Sequence, residues 1–163
     1  RARVTAMTSE IRTTPGRSKI FTEVTLEVLE TIAGQPPAQP VLEFLGGRVG
    51  DEEMIVDGSP QLKVGDESIF FVSGNGRALC PLYAMGYGIY HVKEDAATKR
   101  RYVTREDRMP MQTVAEIAHP LTDATGTAVA RAPIDAAQAM TPEAFTQEIK
   151  KVLLPKSHAA TSH

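Results

Sequence analysis

Between Ile20 and Ile32 the chain alternates. Ile20, Val24, Leu26, Val28 and Ile32 share one parity, and Glu23, Thr25, Glu27 and Thr31 share the other. A period of two is the mark of a β-strand with one buried and one wet face. A weaker alternation from Val4 to Arg12 predicts a first strand, with Thr14-Pro15-Gly16-Arg17-Ser18 as the turn after it. The proline-rich stretch from Gly34 to Pro40 reads as a surface connector, and Val41 to Leu45 as a third strand that runs into Gly46-Gly47, a bend or bulge. Met54-Ile55-Val56 reads as a short strand. Ser68-Ile69-Phe70-Phe71-Val72 is continuously apolar and reads as the most buried strand. Ser73-Gly74-Asn75-Gly76 has hairpin composition, with strands expected over Ala78–Tyr83 and Gly88–Val92, and Met85-Gly86-Tyr87-Gly88 as a tight corner between them. Lys93 to Lys99 is a polar turn, and Arg101 to Thr104 an edge strand. These elements predict a mainly β fold: a curved antiparallel sheet with one core face, closed into a small OB-like barrel over residues 1–108.

Beyond Arg108 the glycine turns thin out, and Ala, Thr and Asp dominate. Residues 109–140 read as an irregular connector with a short helix near Val114–Ala118. A C-terminal amphipathic helix is predicted over 141–155. Thr141 is its N-cap, Pro142 its first residue and Glu143 its first-turn acid, and Pro155 stops it. Phe145, Ile149, Val152 and Leu153 share a face, and Lys150, Lys151 and Lys156 gather at the end that the helix dipole favours for cations. Residues 156–163 are expected to be a disordered tail.

Composition narrows the functional classes. The chain has 163 residues, of which 42% are hydrophobic, a formal net charge of -2 and a single cysteine. The charge gives no reason to expect a nucleic-acid partner, and no apolar run approaches the roughly 18–20 residues of a membrane span. One cysteine excludes an internal disulfide framework and a cysteine-rich zinc site. Cys80, within Leu79-Cys80-Pro81-Leu82-Tyr83, reads as a small buried hydrophobe. The chain opens on strand-like residues without an initiator methionine. It is expected to be a mature product, trimmed of a secretory signal and located in the periplasm or outside the cell.

Several short motifs carry a resemblance. They are Phe21-Thr22-Glu23-Val24, Val28-Leu29-Glu30 ahead of Gly34, the Gly46-Gly47 strand exit, the run from Val64 to Val72, and Gly86-Tyr87-Gly88-Ile89-Tyr90-His91-Val92. Over residues 2–105 the pattern resembles small bacterial exported proteins of unknown function. More remotely it is similar to netrin-like and metalloproteinase-inhibitor-like domains, which are OB-type barrels. The resemblance implies a barrel. It does not transfer the inhibitory mechanism, which uses disulfides and an N-terminal cysteine where this chain has Arg1.

No motif announces chemistry. His91, His119, His158 and His163 lack ligand spacing; His91 reads as a half-exposed strand residue and His119 as a solvated one. Asp51-Glu52-Glu53 lacks the spacing of a calcium loop. Lys99, Arg100, Arg101, Arg105 and Arg108 are interleaved with acids and read as a mixed charged surface. The candidate contact residues are Gly46, Gly47, Arg48 and His91. A glycine pair allows close backbone approach, and Arg48 can hold a carboxylate bidentately or pair with Glu43 or Asp51. No cofactor and no metal are expected. The first reading is a non-enzymatic binding module whose partner is another protein. The alternatives are a hydrolase assembled in three dimensions from His91, Asp51 and Arg48, and a protease inhibitor presenting Pro36-Pro37.

Overall fold

The alternating run forms the longest hairpin of the fold. In the computed structural model, which describes residues 1–153, β1 (Ala2–Thr14) pairs antiparallel with β2 (Arg17–Val28) across a turn at Pro15-Gly16. Ile20, Val24 and Leu26 are buried as the alternation requires, whereas Glu23 and Glu27 face solvent. A bulge between Val4 and Ala6 shifts the register, so Met7 and Ser9 of β1 share the inner face with Val4. On the outer face Arg12 binds Glu10 at 2.5 Å, Glu43 at 2.6 Å and Glu23 at 3.5 Å, and lies over the Phe21 ring. The strand stops at Val28, four residues before Ile32, where the amides of Leu29 and Glu30 both turn to the carbonyl of Arg1.

The sheet has six strands in the order β3-β2-β1-β6-β7-β8, with β3 at Val41–Leu45, β6 at Glu67–Phe70, β7 at Ile89–Glu94 and β8 at Arg101–Thr104. A separate pair joins β4 (Gly47–Val49) to β5 (Glu52–Met54). No ladder connects β3 to β8 among the described residues, so the expected closed barrel is not formed. Both edges are covered by other means, which removes their template for aggregation. Along β3, the Asn75 side chain donates to the Val41 carbonyl at 2.7 Å and accepts from the Glu43 amide, and the Leu45 amide donates to the Leu79 carbonyl. Along β8, the Val103 amide donates to the Met140 carbonyl, and the Val103 carbonyl accepts from the Met111 amide.

The expectation of one core face also fails, for an instructive reason. The β1–β3 half is buried on one face, where Val4, Val24, Leu26, Leu42 and Phe44 meet Cys80, Leu82 and Ile89. The β6–β8 half is buried on both. Ser68 and His91 lie on that first face, while Ile69, Tyr90 and Val103 on the other pack against Met111 and against Phe145 and Ile149 of α1 (Pro142–Leu153). A strand covered on both sides loses its alternation, which is why the segment beginning at Ser68 reads as a continuous apolar run. Its burial ends early: Val72 is 51% exposed.

Other expectations shift locally. Met54-Ile55-Val56 is not a strand beyond Met54, and Ile55 is exposed. Ala78–Tyr83 contains only an isolated bridge, Val72 to Leu82. Residues 85–88 form a 3-10 turn entered by Ala84 and Met85 with positive φ. The short helix expected near Val114–Ala118 is a 3-10 helix with a capping box between Thr113 and Glu116. Cys80 is buried, and that burial raises its thiol pKa.

Helix α1 starts as expected, the Thr141 hydroxyl accepting from the Ala144 amide at 3.2 Å. Its apolar contact ends sooner, because Val152 and Leu153 are 77% and 54% exposed. Pro155, the tail and the histidines at 158 and 163 lie outside the described residues. Lys150 anchors the helix to the end of β2 by donating to Glu30 at 2.7 Å, and this hydrogen bond holds the Glu30 carboxyl below its usual pKa. A depressed carboxylate stabilises the fold above its unfolded-state pKa, and that contribution disappears as pH falls through the folded-state value. Lys150→Met is therefore expected to lower the melting temperature at pH 7. The gap to the unsubstituted protein should vanish once pH drops below the usual glutamate range. A gap that persists in acid would show that the contribution of Lys150 does not come from its pairing with the ionised Glu30 carboxylate.

Candidate functional site

Gly46 and Gly47 build a bend. Gly46 has φ +101 and Gly47 φ +136, values that disfavour side chains, and they swing the chain from β3 into β4. A Cβ on Gly47 would sit 2.1 Å from Thr22 Oγ1 and 2.9 Å from Ser9 Oγ. These two hydroxyls hydrogen-bond at 2.8 Å, and Thr22 also donates to the Gly46 carbonyl at 2.7 Å. The close approach is thus to the chain's own β-hairpin. Arg48, next along, pairs with neither Glu43 nor Asp51. Its Nε donates to the Gly50 carbonyl at 3.2 Å, and Glu43 is engaged by Arg12. These residues border a shallow cleft of ≈320 Å³ with Met7, Met54 and Leu62.

His91 is 1% exposed, in contrast to the half-exposed position expected. Its Nδ1 lies 3.1 Å from Ser68 Oγ and its Nε2 2.6 Å from Glu106 Oε2. The other oxygen of Glu106 accepts from the Gln61 amide. Serine, histidine and glutamate in series have the composition of a hydrolytic triad. Here Ser68 is fully buried opposite Ala2 of β1 and borders neither cleft, so no substrate carbonyl can reach its oxygen in this conformation. The series satisfies buried polar groups and ties the 57–62 loop to the sheet. No hydrogen bond or ion pair joins His91, Arg48 and Asp51 among the described residues, so the three-dimensional hydrolase site is not assembled.

The basic residues near β8 are likewise absorbed. Arg100 donates to the carbonyls of Ala136 and Ala139, and Arg101 pairs with Glu67. Arg105 is 2% exposed, donates to the His119 carbonyl at 2.6 Å and lies over Tyr87.

A second concavity, larger than the cleft beside Gly46 and Arg48, was not signalled by any motif. It is an apolar cleft of ≈780 Å³ at the end of the sheet where β2 stops. The topology makes it. β1 separates β2 from β6 but pairs with β6 only at Ala2 and Arg3, and β6 then runs on past the start of β1. Leu26 and Leu42 form the floor, and Val28, Ile32 and the Pro36-Pro37 connector one wall. Phe70, Val72 and Tyr83 form the other. At the rim, Arg1 binds Glu143 at 2.5 Å and Glu30 at 3.4 Å, so the local charges are mutually neutralised. A volume of this size is that of a ligand-binding cleft. The sequence signal available in advance was the unexplained apolar tail of the alternating run, Val28 and Ile32, beside a proline-rich connector.

Comparison with known protein families, curated proteins and solved structures finds no match to this chain.

Proposed function

We propose that the protein is a non-enzymatic binding module of the bacterial cell envelope, acting in the periplasm or outside the cell, and that it holds an apolar segment of another protein in the cleft beside Phe70 and Val72. The observation that carries this reading is the apolar surface at that cleft, which no other described residue covers. Val41, Val72 and Tyr83 on its walls are 43%, 51% and 69% exposed, above a floor of fully buried leucines. The buried position of Ser68 and the dispersal of Arg48, Asp51 and His91 favour binding over hydrolysis.

The test uses a small fluorescent apolar probe, N-phenyl-1-naphthylamine, on the intact chain. The probe is expected to brighten on binding and to lose about tenfold in affinity with Val72→Asp, equivalent to about 1.4 kcal/mol. The melting temperature should be unchanged, because Val72 is half exposed. No brightening with the folded protein would reject the cleft as a binding site.

A further inference from the structure

The cleft of ≈320 Å³ beside the glycine bend shares no lining residue with the one beside Phe70 and Val72. Its size is at the low end of small-molecule sites, which run from about 300 to 1,000 Å³. Met7, Val24, Phe44 and Leu62 make its apolar part. Val24 and Phe44 belong to the core beneath, and Met7 and Leu62 pack against that core. A lining that includes a flexible thioether adapts to what it meets. It therefore accepts an aliphatic, thioether or aromatic group without selecting sharply among them.

Two charges stand at its rim. Arg48 of β4 and Glu53 of β5 are direct cross-strand partners, and both line the cleft. They do not bind each other. Arg48 Nε donates to the Gly50 carbonyl at 3.2 Å, and neither its Nη atoms nor the Glu53 carboxylate has a partner among the described residues. The Nε bond holds the guanidinium and leaves its Nη edge, which clasps a carboxylate through two parallel hydrogen bonds. The Glu53 carboxylate is an acceptor for a cationic donor. Side chains directly opposite on one face of a ladder have Cβ atoms about 5 Å apart, so one small group reaches both. Charge then selects that group. A simple anion would meet Glu53, with Asp51 and Glu52 beside it in the chain, and a simple cation would meet Arg48. A ligand with both signs on neighbouring atoms satisfies both residues.

We propose that this cleft binds a free apolar α-amino acid as its zwitterion. Arg48 clasps the α-carboxylate, the α-ammonium donates to Glu53, and the side chain enters between Met7, Val24, Phe44 and Leu62. An α-amino acid carries its two charged groups on one carbon, close enough for a single cross-strand pair to hold both. The glycine bend places that pair, because it turns the chain from β3 into the β4–β5 hairpin at the mouth of the cleft. This site is independent of the cleft beside Phe70 and Val72, so either reading can fail without the other.

The experiment titrates the intact chain with L-leucine, L-methionine and L-phenylalanine, each beside its N-acetyl and amide derivatives. Calorimetry gives the affinities, and the methyl resonances of Met7 and Met54 report the place. At least one free amino acid is expected to bind and to shift both methyls. Its two derivatives should bind about tenfold more weakly, the loss expected for one hydrogen bond to a charged group. Arg48→Gln should remove the preference over the amide and keep that over the N-acetyl form, and Glu53→Gln the reverse. Both residues are exposed, so neither change threatens the fold. Equal affinity for free and blocked forms, or variants that keep both preferences, would overturn zwitterion recognition. No binding by any of the three, or binding that leaves both methyls unmoved, would overturn the site.

Discussion

Replacing Gly88 by alanine is expected to destabilise the protein by about 3 kcal/mol, the upper end of the usual cost of overpacking. An added Cβ would lie 2.4 Å from the Tyr83 carbonyl oxygen, 2.8 Å from the Tyr83 amide nitrogen and 3.2 Å from Leu82 Cβ. The first two are backbone atoms, and the two segments are held in place on either side of Phe71: the Tyr83 amide donates to the Phe71 carbonyl, and the Gly88 carbonyl accepts from the Phe71 amide. Neither can rotate away as a side chain would, so the 81–88 segment must move off β6. Thermal unfolding should fall by roughly 6–12 °C for a chain of this size. Gly86→Ala is the graded comparison. Its nearest contacts would be 3.3 Å, to Glu106 Cγ and the Gly58 carbonyl oxygen, nearly 1 Å longer than the shortest at Gly88, so its loss should be clearly smaller. Equal losses at the two positions would contradict the close approach and point to backbone entropy instead. Because the same segment forms the back of the Phe70–Val72 wall, Gly88→Ala should also weaken probe binding.

This segment also illustrates what the sequence could and could not convey. Its glycines marked a corner correctly, but Ala84 and Met85 adopt positive φ there, a conformation their residue types do not announce. The β1–β2 hairpin was legible because one face is wet, so Glu23 and Glu27 mark the register by themselves. The β6–β8 half was legible only in outline. With α1 on one face and the 78–86 segment on the other, polarity no longer alternates, and burial of His91 was invisible. Ser68, His91 and Glu106 are 23 and 15 residues apart in sequence, at no recognisable spacing, and only the pairing of β6 with β7 brings them together. Gly46-Gly47 forms the bend that its composition predicts. The close approach is intramolecular, to Thr22 and Ser9, which depends on the β1–β2 register rather than on any local motif. The cleft follows from where β1 pairs with β6, a property of topology that no stretch of residues encodes alone.

Phe145→Ala is expected to cost about 4 kcal/mol, in the range for removing a fully buried aromatic ring, and to lower the melting temperature by roughly 8–16 °C. Phe145 has no exposed surface and lies 4.9 Å, centroid to centroid, from Tyr90, which in turn meets Phe71 edge-on. Val152, seven residues on and 77% exposed, is the control: Val152→Ala should change stability by less than about 0.5 kcal/mol. The consequence extends beyond stability, because α1 carries Leu153 to the cleft and Lys150 to Glu30. If the helix docks as a unit, losing its Phe145 anchor frees both, and removing residues 141–163 should reproduce the loss. The deletion would then weaken probe binding as well as lower the melting temperature. An unchanged melting temperature on deletion would mean that the helix contributes nothing to this sheet, and its apolar face would be left for a partner. The burial of Phe145 between Tyr90 and the 3-10 helix segment that also flanks Met111 argues for the first outcome. On that basis the cleft and the helix are one device: the same packing that covers the second face of β6–β8 sets the rim of the binding surface on the first.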